Sequence, residues 1–346
     1  MPGNDRAGRE ALLGEARSHE EAGRLLDAIA GFRLAQRAHP DPVIARRLVR
    51  LRRAAAEGGL DHTMPPGRWP PDLPDPFPST TGVPEIRLAD LDGAVLGGGI
   101  LHHGCVIVRG VVDADTAAAM RAMTIRSIEA RDRSLAGMVE PDDERWHSLS
   151  APRTEGTGIA RQYTAEGGGM LAADSPLVLG ALLDAYQDTG LVTAIADYLG
   201  EPPLLSVDKT VLRKVLTSEA IWHQDGKFMA GEVRAVNVWL SLSDCGPGEA
   251  TPSIDIVPTR IDEILETRTR GARYSPIAIG PALLEEVAPD HPWSTPRFAP
   301  GDAIIFDDLF VHRTGSGEGY AEHRYSVESW FFGGSRIPTD YSPLLP

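Results

Sequence analysis

Residues 221–226 read Ile-Trp-His-Gln-Asp-Gly, and this short stretch decides how the rest of the chain is interpreted. In a strand, side chains two positions apart point to the same face, so His223 and Asp225 can converge on one point. An imidazole and a carboxylate are two of the three ligands of a facial triad, which leaves open positions on a bound iron ion. Gly226 suits the end of such a strand, where the backbone turns away. The stretch therefore predicts two metal ligands on one strand.

The third ligand is expected from a strand much later in the chain. Residues 298–306 read as a Pro-Gly turn that feeds a buried strand. An apolar approach follows and ends in His312. Because a barrel brings distant strands together, the sequence predicts that His312 joins His223 and Asp225 around one ion.

Another strand is predicted over residues 323–332, soon after this histidine. Arg324 and Ser326 share one face of it by strand alternation. A guanidinium makes a two-point pair with a carboxylate, and a neighbouring hydroxyl adds a hydrogen bond. The pair therefore predicts a carboxylate subsite on the strand that follows the last metal ligand.

Together these residues resemble the phytanoyl-CoA dioxygenase family of Fe(II)/2-oxoglutarate-dependent oxygenases. The resemblance covers roughly residues 85–334. Its matching parts are the His-x-Asp motif, the strand at 236–242, the Pro-Gly-Asp turn at 300–302, His312, and Arg324 twelve residues after it. Many members of the family carry a Gly-rich stretch where this chain has residues 254–260, which differ from it. The resemblance therefore implies the family's class of chemistry but does not imply the substrate of the founding acyl-CoA hydroxylase.

The resemblance implies a fold, an activity and a set of site residues. The implied fold is a double-stranded β-helix, a jelly-roll or cupin-like barrel. The implied activity is hydroxylation or another oxidation of a C–H bond in a small-molecule or carrier-bound metabolite. The implied bound metal is Fe(II), the implied co-substrates are 2-oxoglutarate and O2, and the co-products are succinate and CO2. The implied roles are metal binding and catalysis for His223, Asp225 and His312, and co-substrate binding for Arg324, Ser326, Thr314 and Trp239.

The order of elements along the chain also indicates a fold class. Helices come first and a run of strands follows, which favours a mainly β domain with supporting helices over an alternating α/β fold. We predict that this oxygenase domain spans residues 85–346. Residues 259–296 interrupt the strands with a long segment of mixed polarity, which is a candidate lid over the site.

The N-terminal part has a different character. Residues 1–60 are predicted to be helical, with Asp41 as an N-cap and Pro42 in the first turn of one helix. The spacing of small residues around Phe32 resembles one tetratricopeptide repeat. We expect a short helical appendage that packs on the main domain; docking of a protein partner and dimerisation are the alternatives. The dense prolines of residues 61–84 predict a linker or strap.

Composition limits the remaining classes of function. The chain has 346 residues and a formal net charge of −15, which disfavours nucleic acid and anionic membrane surfaces as partners. It has two widely separated cysteines, no apolar signal-peptide core and no apolar run long enough to span a membrane. We therefore expect a cytoplasmic protein.

Two other functions stay open at this stage, as do two pocket assignments. The chain could be a cupin-like metalloenzyme that does not use 2-oxoglutarate, or a non-catalytic interaction protein. Lys209 and Arg213 either line the pocket or form a solvated face. Residues 161–163, Arg-Gln-Tyr, are a candidate polar element that contacts co-substrate or substrate.

Overall fold

A computed structural model describes residues 3–59, 63, 67–151, 155–216, 221–229, 232–268, 275–316 and 319–346. Its helices are α1 (Gly3–Glu21), α2 (Leu25–Ala38), α3 (Pro42–Gly58), α4 (Gly93–His103), α5 (Ala114–Leu135), α6 (Asp143–Trp146), α7 (Glu155–Glu166), α8 (Pro176–Asp188), α9 (Leu191–Leu199) and α10 (Pro281–Val287). Its strands are β1 (Glu85–Arg87), β2 (Cys105–Arg109), β3 (Met170–Leu171), β4 (Pro203–Val215), β5 (Ala235–Ser241), β6 (Ile254–Ile256), β7 (Ala303–Phe306), β8 (His312–Thr314), β9 (Arg324–Gly333) and β10 (Pro343–Leu344).

The larger sheet is mixed and has the strand order β1-β2-β7-β5-β9-β4-β10, with β3 added on β4. The β1–β2 pair is parallel, and the other pairs of this sheet are antiparallel. Neighbours in the sheet come from distant parts of the sequence, since β5 lies between β7 and β9. Because of this strand order, the segments that follow β4, β5 and β7 lie close to one another.

A smaller sheet consists of β6 and β8, which pair antiparallel. Single bridges widen it, because His223 pairs with His312 and Ile256 pairs with Ser294. Its side chains share one apolar cluster with those of the larger sheet, and that cluster includes Ile256, Trp239 and Phe306. The two sheets therefore pack against each other, with His223 and His312 on the smaller one.

Strand alternation divides the larger sheet into an outer face and an inner face. On β5, Val236 and Val238 belong to the cluster that helices α4, α5, α8 and α9 cover, whereas Trp239 belongs to the cluster between the sheets. Helical residues outnumber strand residues in the described chain, so the prediction of a mainly β fold understated the helices. These helices are needed because the apolar outer face of the sheet must be buried.

The N-terminal helices form their own small core around Phe32, which is 1% exposed. Asp41 caps α3 by accepting a hydrogen bond from Val43 N at 2.8 Å, as predicted, and Pro42 occupies the first turn. Helix α3 also contacts the C-terminal segment, since Arg52 Nη1 donates to Leu345 O at 2.9 Å. The tetratricopeptide resemblance and the boundaries 1–60, 61–84 and 85–346 remain predictions.

The proline-rich segment contains no helix or strand over residues 67–84, while residues 61–62 and 64–66 lie outside the described part. It lies against α4, where a Cβ at Gly98 would stand 2.6 Å from Pro74 O. Glycine is therefore required for this close approach. Among the described residues, no helix has both the length and the apolar character needed to cross a bilayer.

Candidate metal centre

The backbones of His223 and His312 pair directly across the smaller sheet. His223 N donates to His312 O at 3.1 Å, and His312 N donates to His223 O at 3.1 Å. This two-way pairing holds the two imidazoles side by side, with ring centroids 4.4 Å apart. Two histidines that are remote in sequence are thereby fixed at one place.

Asp225 reaches the same place from a different local structure than the sequence predicted. The extended pairing ends at His223, and Asp225 begins a 3-10 helix, Asp225–Phe228. The turn forms because Gly226 N donates to Asp308 O at 2.8 Å, and a Cβ at Gly226 would lie 2.6 Å from Asp308 Oδ2. The prediction that both ligands lie in one strand was therefore wrong for Asp225, although the carboxylate still turns toward His223.

The three side chains form a compact group of metal-ligand type. Their ligand atoms all lie within 4.8 Å of one another, and His223 Nε2 is 3.5 Å from Asp225 Oδ1. His312 is 8% exposed and Asp225 is 7% exposed, so the group lies inside the protein and not on its outer surface. Two imidazoles and one carboxylate are the donor set of the facial triad that binds Fe(II).

Each imidazole is oriented by a backbone carbonyl two residues earlier. His223 Nδ1 lies 3.0 Å from Ile221 O, and His312 Nδ1 lies 3.1 Å from Phe310 O. A proton on each Nδ1 would satisfy these contacts, which leaves each Nε2 with a free lone pair. Burial, followed by the neighbouring His223, lowers the pKa of His312 to about 4. The neutral, ligating form of this ring is therefore favoured at neutral pH.

Gln224 stands between two of the predicted ligands and ties three segments together. Its Nε2 donates to Glu263 O at 2.9 Å and to Leu309 O at 2.6 Å, and its Oε1 accepts from Leu265 N at 2.8 Å. It is 1% exposed. Sequence reasoning missed this residue, because its partners are backbone groups of segments remote in the chain.

Two aspartates lie behind the Asp225 turn. Asp307 forms a buried ion pair with Arg260. Burial, followed by the Asp307 carboxylate, raises the pKa of Asp308 to about 7. Arg260 therefore neutralises Asp307, and the raised pKa leaves Asp308 only partly ionised at neutral pH.

Arg324 is a buried cation without a carboxylate partner among the described residues. It is 2% exposed, and its Nη1 donates to Ser253 O at 2.7 Å. Its Nε has no partner, and neither has Ser326 Oγ on the same face of β9. Burial lowers the pKa of Arg324. A buried cation beside an unsatisfied hydroxyl is costly unless an anion completes the group.

The other two predicted co-substrate residues lie next to this cation. The Trp239 ring centroid is 5.1 Å from Arg324 Cζ, and Trp239 also packs against Phe298 at 5.1 Å. Thr314 ends β8, one residue before Gly315, whose N donates to the same Ser253 O that Arg324 contacts. Thr314 lies on the His312 side of that strand by alternation. The roles of Arg324, Ser326, Thr314 and Trp239 stay predictions.

The pocket alternatives left open by the sequence have different outcomes. Arg213 aligns with Ser326 across β4 and β9, and its guanidinium pairs with Glu328 at 2.9 Å, so it lies on the inner face. Arg161 instead forms an ion pair with Asp174, with Nε at 2.6 Å from Oδ2. The prediction that Arg161 contacts a co-substrate or substrate is therefore disfavoured, since its charge is already neutralised.

The candidate lid is partly described, because residues 269–274 lie outside the described part. Leu265, Ile279 and Leu283 pack into a cluster with Trp222, the residue before the first predicted metal ligand. This packing holds the segment beside the candidate metal centre. Its function as a lid remains a prediction.

No protein-family model matches the chain, and no curated protein matches it. Three of the solved structures that are similar to this chain follow, each with low sequence identity to it. EctD from S. alaskensis with 2-oxoglutarate and 5-hydroxyectoine is 17% identical, with a TM-score of 0.45 over 67% of this chain and 72% of that one. AviO1 from Streptomyces viridochromogenes Tue57 is 16% identical, with a TM-score of 0.45 over 72% and 98%. The non-heme alpha-ketoglutarate-dependent epimerase SnoN from nogalamycin biosynthesis is 20% identical, with a TM-score of 0.40 over 67% and 77%. At these values the functional case depends on the site itself.

Proposed function

We propose that this protein is a mononuclear Fe(II) oxygenase that uses 2-oxoglutarate to oxidise a C–H bond of a small-molecule or carrier-bound metabolite. One observation carries the proposal. The His223–Asp225–His312 group occurs in the same interior as a buried guanidinium, Arg324, that lacks a carboxylate partner among the described residues. Such a pair of features matches a metal ion and a dicarboxylate bound together.

The residues present fit both proposed ligands. The two imidazoles are held by Ile221 O and Phe310 O in the orientation that offers Nε2, and Asp225 supplies the anionic donor. The free Nε of Arg324 and the free Oγ of Ser326 are suited to the far carboxylate of 2-oxoglutarate. A cupin-like metalloenzyme that binds no carboxylate at this place would leave both groups unsatisfied.

The protein's part in the reaction is binding, orientation and exclusion of water. When bound, the ferrous ion and 2-oxoglutarate supply the oxidising power toward O2 and the C–H bond, with succinate and CO2 as co-products. Arg324 neutralises and orients the co-substrate carboxylate, and Trp239, which packs against Phe298, covers the guanidinium on the interior side. Gln224 keeps the ligand turn fixed against the segments at 263–265 and 309.

The finer assignments are part of the same proposal. The facing large and small sheets support a double-stranded β-helix, and the order of the motifs supports the phytanoyl-CoA dioxygenase family. Asp225 supplies the carboxylate of the ligand group and so leaves no ligand position for a halide ion, which supports hydroxylation or a related oxidation. Two free, buried cysteines, Cys105 and Cys245, support a reducing compartment such as the cytoplasm. A partner for the N-terminal helices stays a prediction.

Succinate release tests the proposal. Protein purified without oxygen, loaded with Fe(II) and exposed to 2-oxoglutarate and O2 should produce succinate, and a screen of metabolites should find compounds that increase the rate. Arg324→Met should abolish the release at low co-substrate concentration. His323→Ala, an exposed neighbour whose side chain points to the opposite face, is the matched control and should retain it. Metal binding without any 2-oxoglutarate turnover would contradict the proposal.

A further inference from the structure

A second cation, Lys209, lies on the inner side of β4 near the metal centre. Its Nζ is 4.0 Å from the centroid of the Phe228 ring and 5.5 Å from that of Tyr341. Phe228 ends the 3-10 helix that Asp225 begins. In the part of the chain that the structure describes, the ammonium has no hydrogen-bond or ion-pair partner, and its contacts are the two aromatic rings.

The fold holds this arrangement from both sides. Tyr341 comes just before β10, which pairs with β4 through Leu344 and Leu205. Asp208, the residue beside Lys209, accepts a hydrogen bond from Ser342 N at 2.6 Å. This bond fixes Tyr341 next to the ammonium. Phe228 is fixed from the other side by the Asp225 turn.

Lys209 is close enough to the metal centre to be influenced by it. Burial lowers the pKa of Lys209, whereas the carboxylates of Asp225 and Glu328 raise it. Burial is the main cause of the raised pKa of Tyr341, and Asp340, Asp225 and Asp208 add to it in that order. A ligand group that contacted Lys209 would therefore lie within electrostatic range of Asp225.

Charge balance indicates what this cation binds. Glu328 is neutralised by its two-point pair with Arg213. The proposed Fe(II) and 2-oxoglutarate bring equal and opposite charges, and Arg324 balances Asp225. Asp208 also raises the pKa of Lys209 after burial has lowered it, but among the described residues neither Asp208 nor any other carboxylate forms an ion pair with the ammonium. Cation–π contacts alone compensate a desolvated ammonium only partly, so a bound anion is favoured.

We propose that Lys209 anchors an acidic group of the primary substrate, with Phe228 and Tyr341 on either side of the anchor. The proposal rests on the proposed function and narrows its substrate class to organic acids, with a carboxylate as the acidic group. The alternative is that Lys209 only stabilises the fold by packing on the two rings.

Binding of paired probes separates these roles. The probes are phenylacetate, 3-phenylpropionate, cinnamate and octanoate, each compared with its primary amide by calorimetry at pH 7. The full chain is loaded with Mn(II) and N-oxalylglycine, which cannot turn over. At least one acid should bind about tenfold or more tightly than its amide, as expected for a charge-assisted contact. Lys209→Met should remove that difference and Lys209→Arg should retain part of it.

Lys214→Met is the matched control, because Lys214 lies on the same strand but aligns with Tyr325 on the outer face. It should keep the preference for the acid. Acids that bind no better than their amides, including the absence of any binding, would overturn the anchor, as would an unchanged preference in Lys209→Met. Failure of Mn(II) and N-oxalylglycine to bind would instead overturn the proposed function, so the two failures are distinguishable.

Discussion

His223 and His312 exchange two backbone hydrogen bonds of 3.1 Å each, although nearly ninety positions separate them in the chain. This single bridge sets the distance between the two imidazoles, and each ring is then turned by a carbonyl two residues earlier. The proposed metal centre is thus built mainly from backbone geometry. Substitutions of the two side chains should therefore remove ligation with little change of fold.

The first prediction concerns metal affinity. Asp225→Ala and His312→Ala should each weaken Fe(II) or Mn(II) binding by more than about a hundredfold, since loss of a direct ligand exceeds the typical effect of losing its supporting contact. Anaerobic titration measures the Kd. His323→Ala should bind the metal like the unchanged protein. A metal Kd that stays the same in His312→Ala would show that His312 is not a ligand.

The second prediction contrasts stability with co-substrate binding at Arg324. Without 2-oxoglutarate, Arg324→Met should unfold at a higher temperature than the unchanged protein, because it removes a buried cation that lacks a partner carboxylate. Ser253 O keeps its bond from Gly315 N in that variant. 2-Oxoglutarate should raise the Tm of the metal-loaded parent protein but not that of the variant.

Arg213→Met provides the matched comparison, because it leaves the partly buried Glu328 unpaired. Loss of one partner of a fully buried pair typically costs about 3–5 kcal/mol, so this variant should be less stable than the parent by a smaller amount. If Arg324→Met and Arg213→Met destabilise the protein equally, Arg324 has a structural partner. The prediction that Arg324 forms a carboxylate subsite would then be wrong.

The third prediction concerns Gln224. Gln224→Leu should lower the free energy of unfolding by about 2–4 kcal/mol, because it leaves the backbone groups of Glu263, Leu265 and Leu309 unsatisfied in the interior. It should also weaken metal binding by about tenfold, since the ligand turn loses its support. Chemical unfolding and metal titration measure the two effects. Gln162→Leu, on the exposed side of α7, is the control and should change neither.

The fourth prediction concerns pH. The folded-state pKa of His312 is lowered to about 4 from 6.5, so the folded protein binds fewer protons at this site than the unfolded chain does. Its contribution to stability is therefore fully present above about pH 6.5 and is lost as the pH falls toward 4, by on the order of 3 kcal/mol. Unfolding of the metal-free protein between pH 7 and 5 measures this slope.

His312→Gln should flatten that pH dependence, whereas a change at the exposed His291 should not. An equally steep loss of stability in His312→Gln would place the responsible group elsewhere. Bound metal should shift the acid transition to lower pH, because ligation holds the imidazole neutral.

The sequence predicted the parts of the site that depend on strand periodicity. Arg324 and Ser326 share a face of β9, and His312 opens a strand after an apolar approach. The sequence did not predict that Asp225 leaves the strand, because that turn depends on Asp308, a residue remote in the chain.

Pairings between distant segments account for the other differences. Lys209 could not be assigned from its strand alone, since its neighbour Tyr341 arrives with the C-terminal strand β10. The sequence predicts a pocket position for Arg161, because the spacing of residues along the chain does not show that Asp174 is its ion-pair partner. The helices were understated because the outer sheet face that they cover is defined only once the strands are ordered.

An anaerobic titration of the Fe(II)-loaded protein with 2-oxoglutarate, followed by visible absorption, tests the central claim most directly. A keto acid chelated to ferrous ion absorbs visible light, so the account predicts a new band that saturates at one 2-oxoglutarate per chain. The band should be absent in Asp225→Ala and should need much more co-substrate in Arg324→Met. Stoichiometric Fe(II) binding with no absorbance change on adding 2-oxoglutarate would contradict the account.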